Sequence, residues 1–353
     1  MMNNTDIYKL TQYSRGAGCG CKIAPDVLQQ ILQTENKQAN PALLLGNSNN
    51  EDAAVYDIGD DKAIISTTDF FMPIVDDAFD FGRIASANAI SDVYAMGGKP
   101  LMALAILGWP VEKLPVKLAQ QVLEGARNIC NQAGIPLAGG HSIDSTEPIF
   151  GLSVTGMINK HNIKQNNTAQ AGDYLFITKP VGTGILSTAQ KREVIAAAHL
   201  EILIKQMVEL NTIGEALAQL KEVTALTDVT GFGLLGHSIE MAEGANLSIE
   251  LYYSSIPIIE GAKEYLSQRI VPDATYRNWN SYSTKTAFEK GINVMEAFNL
   301  LPDPQTNGGL MFSVNESGLQ KVKAILASNN LQAFMEPIGR FVQKTEKVVL
   351  VKA

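Results

Sequence analysis

The spacing of apolar residues divides the chain into a polar start and a longer stretch of mixed strands and helices. Residues 1 to about 50 are mostly polar, apart from one short amphipathic stretch after Pro25, which stands at a helix-start position. From Ala53 the pattern predicts strands over 53–58 and 63–67, followed by an amphipathic helix. The polar start is therefore expected to be an arm, not a domain.

The middle of the chain continues to mix strands and helices and contains one polar break. The pattern predicts a strand over 101–107, a helix over 113–133 and a strand over 149–158. The polar segment 159–167 is the best candidate for a linker between two domains. Because strict βαβ alternation is missing, the pattern favours the α+β class over a doubly wound sheet. The predicted divisions are a flexible arm over 1–50, an N-terminal domain over 51–165 and a C-terminal domain over 166–353.

Composition and charge narrow the classes of protein that fit this pattern. The chain has 353 residues, of which 46% are hydrophobic and 18% charged, enough to bury two cores. A net charge of −8 argues against a nucleic-acid binder, and no apolar run approaches the length of a membrane span. The segment Met1–Asp6 does not read as a signal peptide, and three cysteines do not make a disulfide framework. We therefore expect a cytoplasmic protein without nucleic-acid or membrane partners.

A glycine-rich run near the start, Gly16–Lys22, carries two of the three cysteines next to a lysine. Alternating glycines allow close approach to a ligand, and an ammonium beside a thiol favours the reactive thiolate. Cys19 or Cys21 is therefore a candidate nucleophile. The alternatives are half of a zinc site, an incidental surface thiol or a disulfide. Zinc is disfavoured because one residue separates the pair and Cys130 is the only other cysteine.

Four aspartates, Asp52, Asp69, Asp92 and Asp228, stand at predicted strand ends or on a predicted helix face. Each alone is better explained as a turn or cap residue than as a ligand-binding residue. Together in one cleft they would repel one another unless cations were bound. Mg²⁺ binds carboxylate and phosphate oxygens, and would also let this acidic protein bind a phosphorylated ligand.

Three glycine-containing segments are further candidates for ligand binding. Gly231–Gly236 fits the G-x-G-x-x-G pattern of dinucleotide sites, but Asp228 beside it and the lack of parallel βαβ units argue against a dehydrogenase. Segments 138–142 and 303–310 could bring backbone N–H groups to a phosphate, or could be ordinary turns.

Seven motifs follow one another along the chain: Gly18-Cys19-Gly20-Cys21-Lys22, Glu51-Asp52-Ala53-Ala54-Val55-Tyr56, Ser66-Thr67-Thr68-Asp69-Phe70-Phe71, Asn88-Ala89-Ile90-Ser91-Asp92, Gly139-Gly140-His141-Ser142, Thr227-Asp228-Val229-Thr230-Gly231-Phe232-Gly233 and Asp303-Pro304-Gln305-Thr306. Taken in order, these motifs resemble the selenophosphate synthetase (selenide, water dikinase) family along nearly the whole chain. The later motifs alone would indicate only the wider superfamily of aminoimidazole ribonucleotide synthetase, thiamine-phosphate kinase and the hydrogenase-maturation dehydratase. The Cys-Gly-Cys-Lys loop selects the selenium enzyme.

The resemblance implies two α/β domains of the aminoimidazole ribonucleotide synthetase-like type and a homodimer formed through the N-terminal sheet. It implies synthesis of selenophosphate, AMP and phosphate from ATP, hydrogen selenide and water, with Mg²⁺ and usually K⁺. A selenium-delivery protein is a further expected partner. By motif position, the resemblance implies that Cys19 and Lys22 are catalytic and that Asp52, Asp92 and Asp228 bind metal. It implies that the nucleotide is bound by Lys22, Asn49, Asn50, Glu51, Asp69 and Asp92. It also implies that Gly140, His141 and Ser142 form a segment that contacts the ATP of the partner subunit.

The chain departs from the family pattern at two places. Asn307 stands where serine is usual, and Asp273-Ala274 replaces a usual glycine pair. Neither change removes a group that the chemistry needs, although both bear on nucleotide affinity. Two alternatives stay open on the sequence: another enzyme of the same superfamily that produces ADP, and a non-catalytic thiol sensor that binds nucleotide.

Overall fold

Two β-sheets and the helices packed on them form the protein, seen in a computed structural model that describes residues 8–23, 25–33, 40–46 and 51–353. The nucleotide-binding residues predicted at Asn49 and Asn50 lie outside these ranges, as does the side chain of Cys21. Before the first sheet the chain forms short 3-10 turns at Leu10–Tyr13 and Gly18–Cys21 and the helix α1 (Pro25–Leu32).

Six strands of the described chain form the first sheet, in the spatial order β1-β2-β3-β6-β4-β5. All neighbours are antiparallel except β4 and β5, which run parallel. The strands are β1 (Leu43–Leu45), β2 (Ala54–Gly59), β3 (Lys62–Phe71), β4 (Lys99–Trp109), β5 (Leu137–Asp144) and β6 (Ile149–Asn159).

Helices α2 (Ala78–Ala95) and α3 (Val116–Gln132) form the layer beside this sheet. They approach closely because a side chain at Gly82 or Gly125 would collide with the backbone of the other helix. Helix α2 is buried on nearly all sides, since it also packs against the second half of the protein. Its polar residues can therefore persist only where other groups satisfy their hydrogen bonds.

The opposite face of the first sheet has no cover within the described chain and is rich in large apolar side chains. The strand register places Tyr56, Phe70, Leu104 and Ile143 on this face, and all four are exposed. Several large apolar side chains exposed on one face of a sheet are typical of an interaction surface.

Seven strands of the described chain form the second sheet, in the order β10-β13-β9-β12-β7-β11-β8, with mixed parallel and antiparallel neighbours. These strands are β7 (Tyr174–Ile177), β8 (Val223–Asp228), β9 (Leu247–Tyr252), β10 (Thr286–Phe288), β11 (Leu310–Val314), β12 (Gly339–Gln343) and β13 (Val349–Lys352). The accompanying helices are α4 (Thr183–Lys191), α5 (Ala197–Val208), α6 (Ile213–Ala218), α7 (Gly233–Gly244), α8 (Ala262–Ser267), α9 (Asp273–Tyr282), α10 (Val294–Leu300) and α11 (Leu319–Ser328).

This architecture confirms the α+β class. Strand β8, which precedes the G-x-G-x-x-G segment, is an edge strand that pairs antiparallel with β11. The segment therefore does not belong to a parallel βαβ unit, which is the context that a dinucleotide site requires. The described part of the chain contains no helix of the length and hydropathy needed to cross a bilayer.

The polar segment 159–167 joins the two sheets but is not an exposed linker. Asn162, Lys164 and Asn166 are buried, and the Lys164 ammonium donates to the carbonyl oxygens of Leu220 and Val223. Its polar composition thus reflects hydrogen bonds between the two halves. The exact divisions at residues 50 and 165 stay a prediction.

Candidate functional site

The glycine-rich loop lies against the body of the protein and brings Cys19 into its interior. Gly18 has a φ of +50°, and a side chain there would collide with Ile74 and Thr306, so this position requires glycine. The Gly18 N–H donates to the carbonyl oxygen of Met72, and the Cys19 N–H donates to Thr306 Oγ1 at 3.1 Å. The loop conformation is therefore set by residues distant in sequence.

The Cys19 side chain lies in a small network of polar groups and is only 1% exposed. Its Sγ atom donates to Oδ1 of Asn88 on α2 at 3.2 Å. The Asn88 amide in turn donates to Asp69 Oδ2, on β3, at 2.7 Å. Lys22 Nζ lies 3.5 Å from the same Asp69 oxygen. Three residues predicted to be functional, Cys19, Lys22 and Asp69, thus meet around Asn88. Asn88 belongs to one of the sequence motifs but was not predicted as a site residue.

Lys22 is held in its charged form. The Asp69 carboxylate raises the pKa of the Lys22 ammonium, and the more distant Asp92 and Asp228 add to this effect. The side chain is still 42% exposed, so it can reach a ligand that approaches from solvent. A charged, partly exposed lysine beside a buried thiol is suited to attract an anionic group to that thiol.

The other predicted aspartates converge from different elements: Asp52 precedes β2, Asp92 lies on α2 and Asp228 ends β8. Burial raises the pKa of each carboxyl, and their mutual repulsion raises the pKa of Asp52 and Asp92 further. Hydroxyl donors partly compensate this cost. Thr227 donates to Asp52, Thr67 to Asp92 and Ser91 to Asp228.

The carboxylates of Asp52, Asp92 and Asp228 have the chemistry to bind divalent cations that also coordinate a ligand. Asp52 Oδ2 is buried and has no hydrogen-bond partner among the described residues, as expected for an oxygen that binds a cation. Within the described ranges, however, no three acidic, histidine or cysteine side chains are close enough to enclose a metal by themselves. Mg²⁺ suits this spacing because it keeps waters and takes phosphate oxygens alongside one or two carboxylates.

Glu51, predicted in the nucleotide site, makes hydrogen bonds to the segment between the sheets. Its carboxylate accepts from the Asn166 N–H and from the Asn167 amide, both at 3.3 Å. Burial raises the pKa of Glu51 to about 7. In this conformation Glu51 therefore helps to join the two halves of the protein next to Asp52.

The predicted segment Gly140, His141 and Ser142 lies apart from this cluster, on the edge strand β5, where it is exposed. Three strand spacings separate β5 from the strand of Asp69, or about 14 Å. Register nevertheless aligns Gly140 with Asp69 across the sheet, through Ala105 and Leu152. His141 follows on the open apolar face.

Asn307, the departure from the family pattern, fits its position closely. It is fully buried, adopts a φ of +48° that asparagine tolerates, and donates its N–H to Asn88 Oδ1 at 2.7 Å. Its amide donates to the carbonyl oxygens of Met207 and Glu209. The Asn side chain thus fixes the loop that contacts Asn88.

One residue near the site, Lys179, was not anticipated from the sequence. It is 4% exposed, and its ammonium donates to the carbonyl oxygens of Glu209 and Asn307 at 2.7 and 3.0 Å. Burial lowers the pKa of Lys179 to about 8. The available signal was a lysine two positions after the apolar strand β7, and such a position also fits a surface lysine.

The first glycine of the G-x-G-x-x-G segment has a different role from the one its pattern suggests. A side chain at Gly231 would stand 2.8 Å from the carbonyl oxygen of Cys19. His237, on α7, is packed: its Nε2 accepts from the Thr230 N–H at 3.1 Å. The segment thus packs against the backbone of the cysteine loop.

Comparison with known proteins identifies the family of the chain. Residues 50–158 match the family of AIR synthase related protein, N-terminal domain, and residues 170–352 match the corresponding C-terminal domain. Selenide, water dikinase from Colwellia psychrerythraea is 52% identical over 97% of this chain and 98% of its own. The enzyme of that name from Yersinia pseudotuberculosis is 51% identical over 98% of this chain and 97% of its own.

Among solved structures, hydrogenase maturation protein HypE in complex with ATP is similar in fold. It has a TM-score of 0.63 and 18% identity, and the alignment covers 89% of this chain and 87% of that one. The fold and the near-complete coverage by relatives at about half identity lead to one conclusion. The chain belongs to the selenide, water dikinase family, within the AIR synthase related proteins.

Proposed function

We propose that this protein makes selenophosphate from hydrogen selenide, ATP and water, and releases AMP and phosphate. The observation that carries the proposal is the meeting of Cys19 and Lys22 with the carboxylates of the site, through Asn88 and Asp69. A thiol, an ammonium and a group of buried acids in one cleft combine a place for selenium with a place for a metal-bound polyphosphate. The family to which the chain belongs supports the same reading.

In this proposal Asp52, Asp92 and Asp228 hold Mg²⁺ on the phosphates of ATP. Bound Mg²⁺ neutralises phosphate charge, which phosphoryl transfer requires more than covalent help from the protein. Burial raises the pKa of each carboxyl, and repulsion between carboxylates raises the pKa of Asp52 and Asp92 further; a bound cation would remove that repulsion. Asp69 and Glu51 contribute to nucleotide binding beside these residues.

Lys22 and Cys19 act on the transferring group. The Lys22 ammonium adds positive charge near the γ-phosphoryl, and Cys19 holds or delivers selenium close to it. Hydrogen selenide loses a proton, a selenium–phosphorus bond forms, and the bond from the γ-phosphorus to its bridging oxygen breaks. Water then cleaves the remaining diphosphate link to give AMP and phosphate. These two steps consume one ATP and one water for each selenophosphate.

We further propose that the protein is a homodimer joined through the open apolar face of the first sheet. Tyr56, Phe70, Leu104 and Ile143 are exposed there and would be buried by a second copy. His141 is on the same face, which is consistent with lending the segment Gly140–Ser142 to the partner's nucleotide. K⁺ as a second type of ion, a selenium-delivery protein and a cytoplasmic location stay predictions.

Selenide-dependent release of AMP tests this function directly. Purified protein with Mg-ATP should form AMP and phosphate only when selenide is added under reducing conditions. Release of ADP instead would identify another enzyme of the superfamily. Binding of nucleotide without AMP or ADP would identify a thiol sensor.

A further inference from the structure

A cationic pocket lies beside the Cys19 loop, and the proposed reaction does not use it. Its volume is about 340 Å³, large enough for a small ligand with its water. One wall is the loop itself, and the other walls are the start and end of α4 and the start of α9. The charged residues that line it are Arg15, Lys191, Arg192, Asp273 and Arg277.

The charge of this pocket is opposite to that of the protein. Four basic side chains and one carboxylate line it, in a chain whose net charge is −8. Two of these cations also hold the loop: Lys191 Nζ donates to the Ser14 carbonyl oxygen at 3.0 Å, and Arg277 donates to the Gly20 carbonyl oxygen at 2.8 Å. Within the described residues, Arg15 and Arg192 do not donate to the carbonyl oxygens of the loop. Arg192 makes one long hydrogen bond, to the Arg269 carbonyl oxygen at 3.5 Å, so most of the donor groups of both guanidinium ions are open to a ligand.

The pocket adjoins the surroundings of the reactive thiol. A smaller cavity of about 10 Å³ is lined by Cys19 and Lys22, and it shares Gly20, Ala274 and Arg277 with the cationic pocket. Thr306, which accepts from the Cys19 N–H, lines the larger pocket. An anion in the pocket would therefore be separated from Cys19 only by the width of the loop.

We infer that this pocket collects the anionic selenium substrate, the hydrogen selenide anion, and supplies it to Cys19. The inference rests on the proposed function and adds a route by which the substrate approaches. Hydrogen selenide is an anion at neutral pH, and the acidic protein would otherwise repel it. A group of cations at the mouth of a cleft raises the local concentration of an anion and its rate of arrival. The pocket is wider than the anion, so it attracts the substrate without fitting it tightly.

The test uses the two cations that do not hold the loop. Arg15→Gln and Arg192→Gln each remove one positive charge, and the control Arg127→Gln removes the same charge from an exposed position on α3, outside the pocket. Steady-state assays of AMP release at low and high salt give KM for selenide and for ATP. We expect each pocket variant to raise the KM for selenide by about 3- to 10-fold at low salt, with an unchanged KM for ATP. The effect should shrink at high salt, and the control should behave as the wild type.

Each other outcome contradicts a different statement. A wild type that releases no AMP with selenide overturns the proposed function, and this inference with it. An active wild type whose pocket variants keep the KM for selenide overturns the inference alone. Added inorganic phosphate provides a further arm: if phosphate inhibits the wild type but not the variants, while the KM for selenide is unchanged, the pocket takes the product anion and the inference is wrong.

Discussion

The sulfur of Cys19 lies 3.2 Å from Oδ1 of Asn88, and this contact joins the thiol to the acidic side of the site. Asn88 Oδ1 also accepts the N–H of Asn307, and its amide donates to Asp69. One buried side chain therefore sets the position of the thiol, of the Asp69 carboxylate and of the loop at Asn307. The relative placement of selenium and nucleotide in the proposed reaction depends on this residue.

Replacement of Cys19 by serine should abolish selenophosphate formation and leave Mg-ATP binding intact. A hydroxyl forms an anion far less readily than a thiol and carries selenium poorly. Cys21→Ser is the matched control and should remain active, because only Cys19 stands at the family's reactive position. Measurement of selenide-dependent AMP and of nucleotide affinity checks both variants. An inactive Cys21→Ser with an active Cys19→Ser would reverse the assignment.

Asp92→Asn and Asp228→Asn should each weaken Mg-ATP binding by at least about tenfold and lower turnover together with it. A neutral amide keeps the shape of the side chain but loses the charge that holds the cation on the phosphates. Titration of a nucleotide analogue at several Mg²⁺ concentrations measures the effect. Asp61→Asn, at an exposed turn between β2 and β3, is the control. Unchanged Mg²⁺ dependence in both site variants would mean that these aspartates have only a structural role.

The wild-type protein should sediment as a dimer at micromolar concentration. Leu104, exposed on the open face of the first sheet, would be buried in that dimer, so Leu104→Lys should shift the population towards the monomer. Val116→Lys alters an apolar and still more exposed residue at the start of α3, away from this face, and should leave the dimer intact. A single 38.1 kDa species for the wild type would disprove the proposed dimer.

The glycine-rich loop should become more protected when nucleotide binds. Gly16, Gly18 and Gly20 make ordering of the loop entropically costly, and a bound polyanion that meets Lys22 offsets this cost. Closure would also keep water from the γ-phosphoryl until selenide is in place. Hydrogen exchange over residues 10–25, with and without Mg²⁺ and a non-hydrolysable ATP analogue, measures it. Equal protection in both states would show that the loop is preformed.

Lys179 should make the free energy of unfolding depend on pH in the alkaline range. Its pKa is lowered from 10.5 to about 8 in the folded protein, so the unfolded chain binds more protons between these values. Stability from this group therefore rises with pH across that window, by about 3 kcal/mol in total. Denaturant unfolding of the wild type and of Lys179→Met at pH 7 and 9.5 isolates the effect. The same pH response in both proteins would contradict the lowered pKa.

The sequence alone was sufficient for the fold class, the family and the residue types of the site. Mixed strands and helices without βαβ alternation predicted the α+β architecture, which the two sheets confirm. These features are local, since periodicity, turn residues and each separate motif are read within short windows. Cys19, Lys22 and Asp69 could thus be selected from their own segments, and the structure brings them together.

Only the tertiary structure decided how distant segments satisfy one another. Asn88 joins Cys19 and Asn307, which lie 69 and 219 positions away along the chain, and no local pattern indicates such bonds. Segment 159–167 is polar like a linker, yet Asn162, Lys164 and Asn166 within it are buried, and the Lys164 ammonium donates to carbonyl groups of the other half. The cationic pocket likewise gathers Arg15, Lys191 and Arg277 from three separate elements within an acidic chain. Burial and long-range hydrogen bonding depend on three-dimensional packing, and they determine which polar residues are structural and which remain open to a ligand.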